Sequence, residues 1–252
     1  MLTKENANEL LHLFLDIGEQ MMASGAAVNR IEDALQRLAN AYGAVQMNVM
    51  VITASIVVTM ELPDGEIITQ TRRIKGAGTN FTRLEKVNEV SRRCCESPMA
   101  PAELEKALEE IQGDINPWLL YVGSAVAAGS HTVFFGGTLA DGIMAAIVGL
   151  FICFLQIRLP YICQNNMVFN LMVSLISGMG ICLITKFVPL LHMDKVMIGD
   201  IMLLIPGIAM TNSIRDILIG DTISGIMRLI ETLLWAAALA LGFMISIAVI
   251  GG

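Results

Sequence analysis

The chain has 252 residues, 55% of them hydrophobic and only 15% charged, with a net charge of −7 and a mean hydropathy of +0.66. Soluble domains carry about 25% charged residues, so this composition excludes an ordinary soluble enzyme. Its acidic balance argues equally against nucleic-acid binding, which needs a basic stripe to neutralise phosphates.

Charge is unevenly placed. Residues 1–116 hold 11 of the 16 Lys/Arg and 17 of the 23 Asp/Glu, leaving 5 and 6 for the remaining 136 residues. This split predicts an N-terminal cytoplasmic α+β domain over 1–116 and a membrane α-helical bundle over 117–252. Cys94, Cys95, Cys153, Cys163 and Cys182 form no Cys-x-x-Cys pair, so reduced thiols are expected, with no metal and no cofactor.

In chain order, Leu10, Leu11, Leu13, Phe14 and Ile17 give residues 3–23 the period of an amphipathic helix. His12, Asp16 and Glu19 interrupt it, and no basic region opens it, so it does not read as a cleaved leader. Ser24-Gly25-Ala26-Ala27 breaks the pattern before a second helix over 28–42, with Val28, Ile31, Leu35 and Leu38 on one face. From Val45 to Ile74 the period changes to that of strands. Val45–Val51 and Ile56–Met60 are rich in β-branched residues, and Leu62-Pro63-Asp64-Gly65 reads as a turn into the returning strand Glu66–Ile74. Lys75-Gly76-Ala77-Gly78-Thr79-Asn80 lacks the residue order of a phosphate loop and reads as a connection. Helices are expected over 81–96 and 101–111.

The second half predicts five crossings. Trp118 suits a membrane interface, and residues 118–139 carry no charge, enough to cross a core of about 30 Å at about 1.5 Å per residue. Ala140-Asp141-Gly142 reads as a tight turn. Further apolar segments cover 143–157, 167–187, 196–210 and 229–250, with residues 211–228 as a polar connector. Arg158, Arg215 and Arg228 fall in inner loops and Lys186 and Lys195 in outer ones, which together with the leading acidic domain orients the chain with its N-terminal domain cytoplasmic.

The candidate site lies between Gly199 and Glu231. Asp200 is an ionisable group inside an apolar segment, costing about 2.5–3.5 kcal/mol unless it meets a partner or water. Pro206-Gly207 should break that helix, and a break at membrane depth is tolerated only where protein or water satisfies the freed backbone. Thr211, Asn212, Arg215, Asp216, Asp221, Arg228 and Glu231 follow at once. Arg228 and Glu231, three apart, can face each other on a helix. Discontinuous helices with uncovered polar ends are one way transporters hold small charged solutes. A plain alternative is that these charges are ion pairs at the cytoplasmic rim.

The run Gly199-Asp200 through Pro206-Gly207, Thr211-Asn212 and Arg215-Asp216, on to Gly220-Asp221, Ser224-Gly225, Arg228 and Glu231, resembles the signature of the bacterial threonine/serine exporter family. Ser24-Gly25-Ala26, Arg30-Ile31-Glu32, Thr71-Arg72-Arg73 and Gly136-Gly137 with Asp141 resemble further family positions. The chain is similar to the larger, five-helix subunit of that family's split, two-chain form. The resemblance implies an exporter of a small polar metabolite, either an amino acid such as threonine or serine or a dicarboxylate such as succinate. It also implies a second, small integral membrane subunit in a hetero-oligomer within the lipid bilayer of a bacterial inner membrane.

In that reading Asp200 senses a coupling proton or meets an amino group, Arg215 or Arg228 grips a carboxylate, and Thr211 and Asn212 supply neutral hydrogen bonds. The competing reading is a membrane-anchored metabolite sensor, in which the α+β domain binds the solute and the helices only anchor it. Intramembrane enzymes are disfavoured. Neither Gly199-Asp200 nor Gly220-Asp221 has the Gly-x-Gly-Asp of an aspartyl protease, and Ser224-Gly225 lacks the leading glycine of a serine type.

Overall fold

The computed structural model describes residues 6–74, 78–111, 116–161, 163 and 165–251. They gather into two compact units, Met1–Asp114 with Ile208–Leu229, and Ile115–Gly207 with Ile230–Gly252.

In the first unit, α1 (Ala7–Ala23) and α2 (Val28–Tyr42) lie with a three-stranded antiparallel meander, β1 (Gln46–Ile52), β2 (Ser55–Glu61) and β3 (Ile67–Arg73), in the order β1-β2-β3. Strand alternation turns Ile56, Val58 and Met60 inward, and they share a core with Leu10, Phe14, Ile17, Ile31 and Leu35. The close fit is visible at Gly18, where a Cβ would come within 2.9 Å of Ile56 Cδ1. Glu61 and Ile67 close the β2–β3 connection through the expected Leu62–Gly65 turn, in which the Gly65 N–H donates to the Leu62 carbonyl at 2.9 Å. Between β1 and β2 only Thr53 and Ala54 intervene. Two charged helices follow, α3 (Phe81–Glu96) and α4 (Pro101–Glu109). The Asn80 side chain caps α3 by accepting from the Arg83 N–H. Residues 75–77 of the expected connection, residues 3–5 of the first helix and residues 112–115 lie outside the described part.

The second unit contains α5 (Pro117–Phe134), α6 (Leu139–Arg158), α7 (Asn166–Phe187) and α8 (Met193–Leu204). It also takes residues 230–252, which carry most of α10 (Thr222–Ser246) and its π-helical end, Ile247–Gly251. Helix contacts here are made at small residues, the usual means of close approach in a membrane. A Cβ on Gly142 would lie 3.3 Å from the Gly129 carbonyl, one on Gly149 2.9 Å from Ala128 Cβ, and one on Gly178 3.0 Å from the Phe243 ring.

Several expected boundaries are corrected. The first apolar helix stops at Phe134 rather than 139, and Ala140-Asp141-Gly142 is no turn. A capping box explains the difference: the Asp141 N–H donates to Thr138 Oγ1, while Asp141 Oδ2 accepts from the Thr138 N–H at 2.8 Å. The helix therefore starts at Leu139 and has 20 residues, not 15. The fourth segment ends at Leu204, and the supposed connector is helical, α9 (Gly207–Leu218) followed by the start of α10. The turn between them is at Gly220, whose φ of 105° suits glycine.

Three helices are long and apolar enough to cross a membrane, α6, α7 and Thr222–Gly251. The pair α8 and α9, bent at its break, would make a fourth as one broken span. The chain is thus a mostly helical, multi-pass membrane protein with a small sheet.

Candidate functional site

The break in the fourth segment lies at Ile205-Pro206. Ile205 leaves the helical region, with ψ at 126°, and proline has no N–H to continue the ladder. The Gly207 N–H donates to the Ile205 carbonyl at 2.8 Å, and α9 begins there. Two helix ends are thereby opened within an apolar stretch, each with backbone groups its own helix cannot pair.

Asp200 stands on α8, one turn before the break. It is 0% exposed, and neither carboxylate oxygen has a hydrogen-bond partner among the described residues. Helices α5, α6 and α7 pack against α8. The neighbouring Gly199 lies against α5, where a Cβ would come 2.7 Å from the Ala128 carbonyl. The Thr132 hydroxyl on that helix is already committed to Ala128 at 3.0 Å. A sealed carboxyl without a donor or a cation is costly, and Asp200 is the one buried acid of its unit, among the described residues, with neither oxygen satisfied.

Asp141 is its opposite. Equally buried, it accepts from the Thr138 hydroxyl at 2.7 Å, the His192 N–H at 2.7 Å and His192 Nδ1 at 3.0 Å, in addition to the Thr138 N–H. His192 is the N-cap residue of α8, so one carboxylate ties the starts of α6 and α8 together. Lys195 Nζ adds a bond to the Phe135 carbonyl at 3.2 Å. Both connections, 135–138 and 188–192, therefore lie at the same end of this unit, as an alternating helix topology requires. Sequence reasoning left this fastening out of the site because Asp141 looked like part of a turn.

Thr211, Asn212, Arg215, Asp216, Asp221 and Arg228 fall in the first unit and Pro206, Gly207 and Glu231 in the second, and the structure joins Asn212, Asp216 and Arg228 to the N-terminal helices. Asn212 and Asp216, four apart on α9, share a face. Asn212 Nδ2 approaches the Gly25 carbonyl at 3.4 Å, and Asp216, fully buried, accepts from Arg228 Nη1 at 3.0 Å. The Val28 N–H, at the start of α2, faces the same carboxylate. Ser224 donates to the Val51 carbonyl at 3.2 Å. Gly25 adopts φ of 95°, where a Cβ would also sit 3.0 Å from the Gly78 carbonyl, so this connection admits glycine alone.

Glu32 accepts from the Val51 N–H at 3.2 Å. Burial raises its carboxyl above the usual range, and the charge of Asp221 pushes the same way against the Val51 bond. Arg228 thus pairs with Asp216, not with Glu231, which is exposed and forms no ion pair among the described residues. Pro206 lies half-buried at the break, and Gly207, Thr211 and Arg215 are exposed. Sequence reasoning missed Met22, Ser24 and Val28 as parts of this cluster. Their signal was the Ser24-Gly25-Ala26 segment, which carried the family resemblance without a role. Among the described residues no three His, Cys, Asp or Glu side chains gather as metal ligands would.

The family model for threonine/serine exporters matches residues 12–250. The chain belongs to the threonine/serine exporter family. Relatives within it include the "Probable threonine/serine exporter" of Mycobacterium tuberculosis, 23% identical over 96% of this chain and 46% of that protein. The "Threonine/serine exporter" of Corynebacterium glutamicum is 22% identical over 92% of this chain and 50% of that protein. The chain spans about half the length of these curated exporter relatives. No solved structure matches it. The family match covers α1 from residue 12 onward, α2 and the broken α8–α9 segment with the start of α10, which together supply most of the polar groups described above.

Proposed function

We propose that this chain is a subunit of a secondary exporter that moves a small polar metabolite out of a bacterial cell, working with a second integral membrane subunit in a hetero-oligomer. The cargo is an amino acid such as threonine or serine, or a dicarboxylate such as succinate, and an ion gradient drives it. Residues 1–116 face the cytoplasm of the inner membrane. Five segments cross, with α5 as the first although its glycine, serine, histidine and threonine lower its apolarity. The second subunit supplies what the relatives carry in their additional length.

One observation carries this reading: Asp200, sealed and unpartnered, sits on a helix that breaks at Pro206-Gly207. A buried acid without a hydrogen-bond donor or a cation beside it is expected where a proton or cation must come and go. Broken helices uncover the backbone dipoles that bind solute in many transporters. Asp200 accordingly takes up and releases the coupling proton, and the α9–α10 groups Thr211, Asn212, Arg215 and Arg228 hold the cargo.

The test is efflux of labelled threonine and succinate from cells expressing this chain with and without a second membrane subunit of the family. Efflux of either solute that needs both chains supports the reading. Absence of efflux, together with solute binding by residues 1–116 alone, would make the chain a sensor instead.

A further inference from the structure

The buried ion pair of the first unit is only half satisfied. An arginine grips a carboxylate best through two parallel N–H bonds. Here Arg228 gives one to Asp216, and its Nη2 instead lies 3.1 Å from Met22 Sδ, a thioether and a weak acceptor. On the other side, Asp216 Oδ1 has no hydrogen-bond partner among the described residues although the residue is 0% exposed.

The same is true beside it. The hydroxyl of Ser24, 1% exposed, and Asn29 Oδ1 are also without hydrogen-bond partners among the described residues. Helix α2 opens on Ala27 with no side-chain cap, and the Val28 N–H at that end faces Asp216. A desolvated pair is stable only when its remaining lone pairs and protons are met, and here several are not, on both charges, around one helix N-terminus.

We propose that the Asp216–Arg228 pair is a zwitterion site, which an α-amino acid enters by parting the two side chains. Its carboxylate takes Arg228 and the α2 N-terminus, and its ammonium takes Asp216, with Ser24 and the Gly25 carbonyl at its edge. Insertion turns one ion pair into two without changing the charge of the site, so the exchange adds no unpaired buried charge. A dicarboxylate would not balance. Asp216, Asp221 and Glu32 already outnumber Arg228 and the exposed Arg215 among the described residues, and a dicarboxylate would add two further negative charges and no positive one. Paired with Arg228, Asp216 stands where the cargo carboxylate belongs, which also holds the Ser24–Ala27 connection against α9. This deepens the exporter reading and rests on it for the meaning of the ligand as cargo, though not for binding itself.

The experiment is a titration of the purified full chain, read by calorimetry and by the shift of its thermal unfolding, with L-serine, L-threonine, ethanolamine, lactate and succinate. The two amino acids should bind saturably and raise the midpoint, and the three probes lacking one of the two groups should not. Arg228→Gln and Asp216→Asn should each weaken serine binding by about tenfold or more, the loss of one charge-assisted hydrogen bond. Binding of succinate or lactate as tight as serine, absence of saturable amino-acid binding, or unchanged binding by a folded Arg228→Gln chain would each overturn the proposal. Should both variants fail to fold, the ligand series on the unaltered chain still decides. A chain that binds serine in this pattern but exports nothing from cells would instead sink the exporter reading alone.

Discussion

Asp141 and Asp200 are both fully buried in the second unit, but Asp141 accepts from four donors and Asp200 from none. Burial by itself therefore does not distinguish the two acids, whereas the count of donors among the described residues does. Asp141→Asn places an amide against groups that are themselves donors and removes the charge that strengthens each bond. It should cost about 2–4 kcal/mol, seen as a fall in the thermal unfolding midpoint of the purified chain. Glu32 offers a pH test. Its carboxyl is raised by burial above the ordinary value of 4.5, so its contribution to stability is full below that value and is lost as pH rises through the raised one. Glu32→Gln, which can still accept from Val51, should unfold at a higher temperature than the unaltered chain at neutral pH. The difference should close as the pH approaches 4.5. A constant gap at all pH values would show that its charge is not what matters.

At the scale of elements, α2 and α3 were legible to the residue, because their apolar periodicity begins and ends sharply. The first turns of α6 and α10 were not. In α6 a cap residue and its acidic partner, Thr138 and Asp141, look like loop chemistry until their mutual hydrogen bonds are seen. In α10 the polar Ser224 and Arg228 meet Val51 and Met22 of the N-terminal segment, so their polarity hid a helix. The Pro206-Gly207 break was readable because proline removes a donor in any context. Packing at glycine gives a paired prediction. Gly199→Ala drives a methyl into Ala128 and Thr132 of α5 and should destabilise by about 1–3 kcal/mol. Gly180→Ala, on α7 with nothing within 4 Å of its Cβ position, should be neutral or stabilise by about 0.4–1 kcal/mol through the unfolded chain. Thermal unfolding of the two variants side by side checks the opposite signs.

For the whole molecule, the division into an acidic half and an apolar half was plain from charge placement, and so was the family resemblance. What composition could not give was the pairing of distant segments. Asn212 and Gly25 are 187 residues apart, and Arg228 and Met22 206 apart, yet they meet in one unit. No local pattern encodes such a contact, and residues 208–229 fold with the N-terminal segment although the sequence reads most of them only as a polar connector between two apolar segments. The number of crossings was hard to read for a related reason. Helix α5 packs on α6 and α8 through Ala128, Thr132 and Gly129, so two of the residues that lower its apolarity, Gly129 and Thr132, are turned toward other helices.

The central claim is that Asp200 is unpartnered because a coupling proton uses it. Its most direct test is solute efflux from cells expressing Asp200→Asn together with the second subunit, with and without collapse of the proton gradient. The account predicts efflux that is lost in the variant, as it is in the unaltered chain once the gradient is removed. Gradient-driven efflux by Asp200→Asn at the unaltered rate would contradict it.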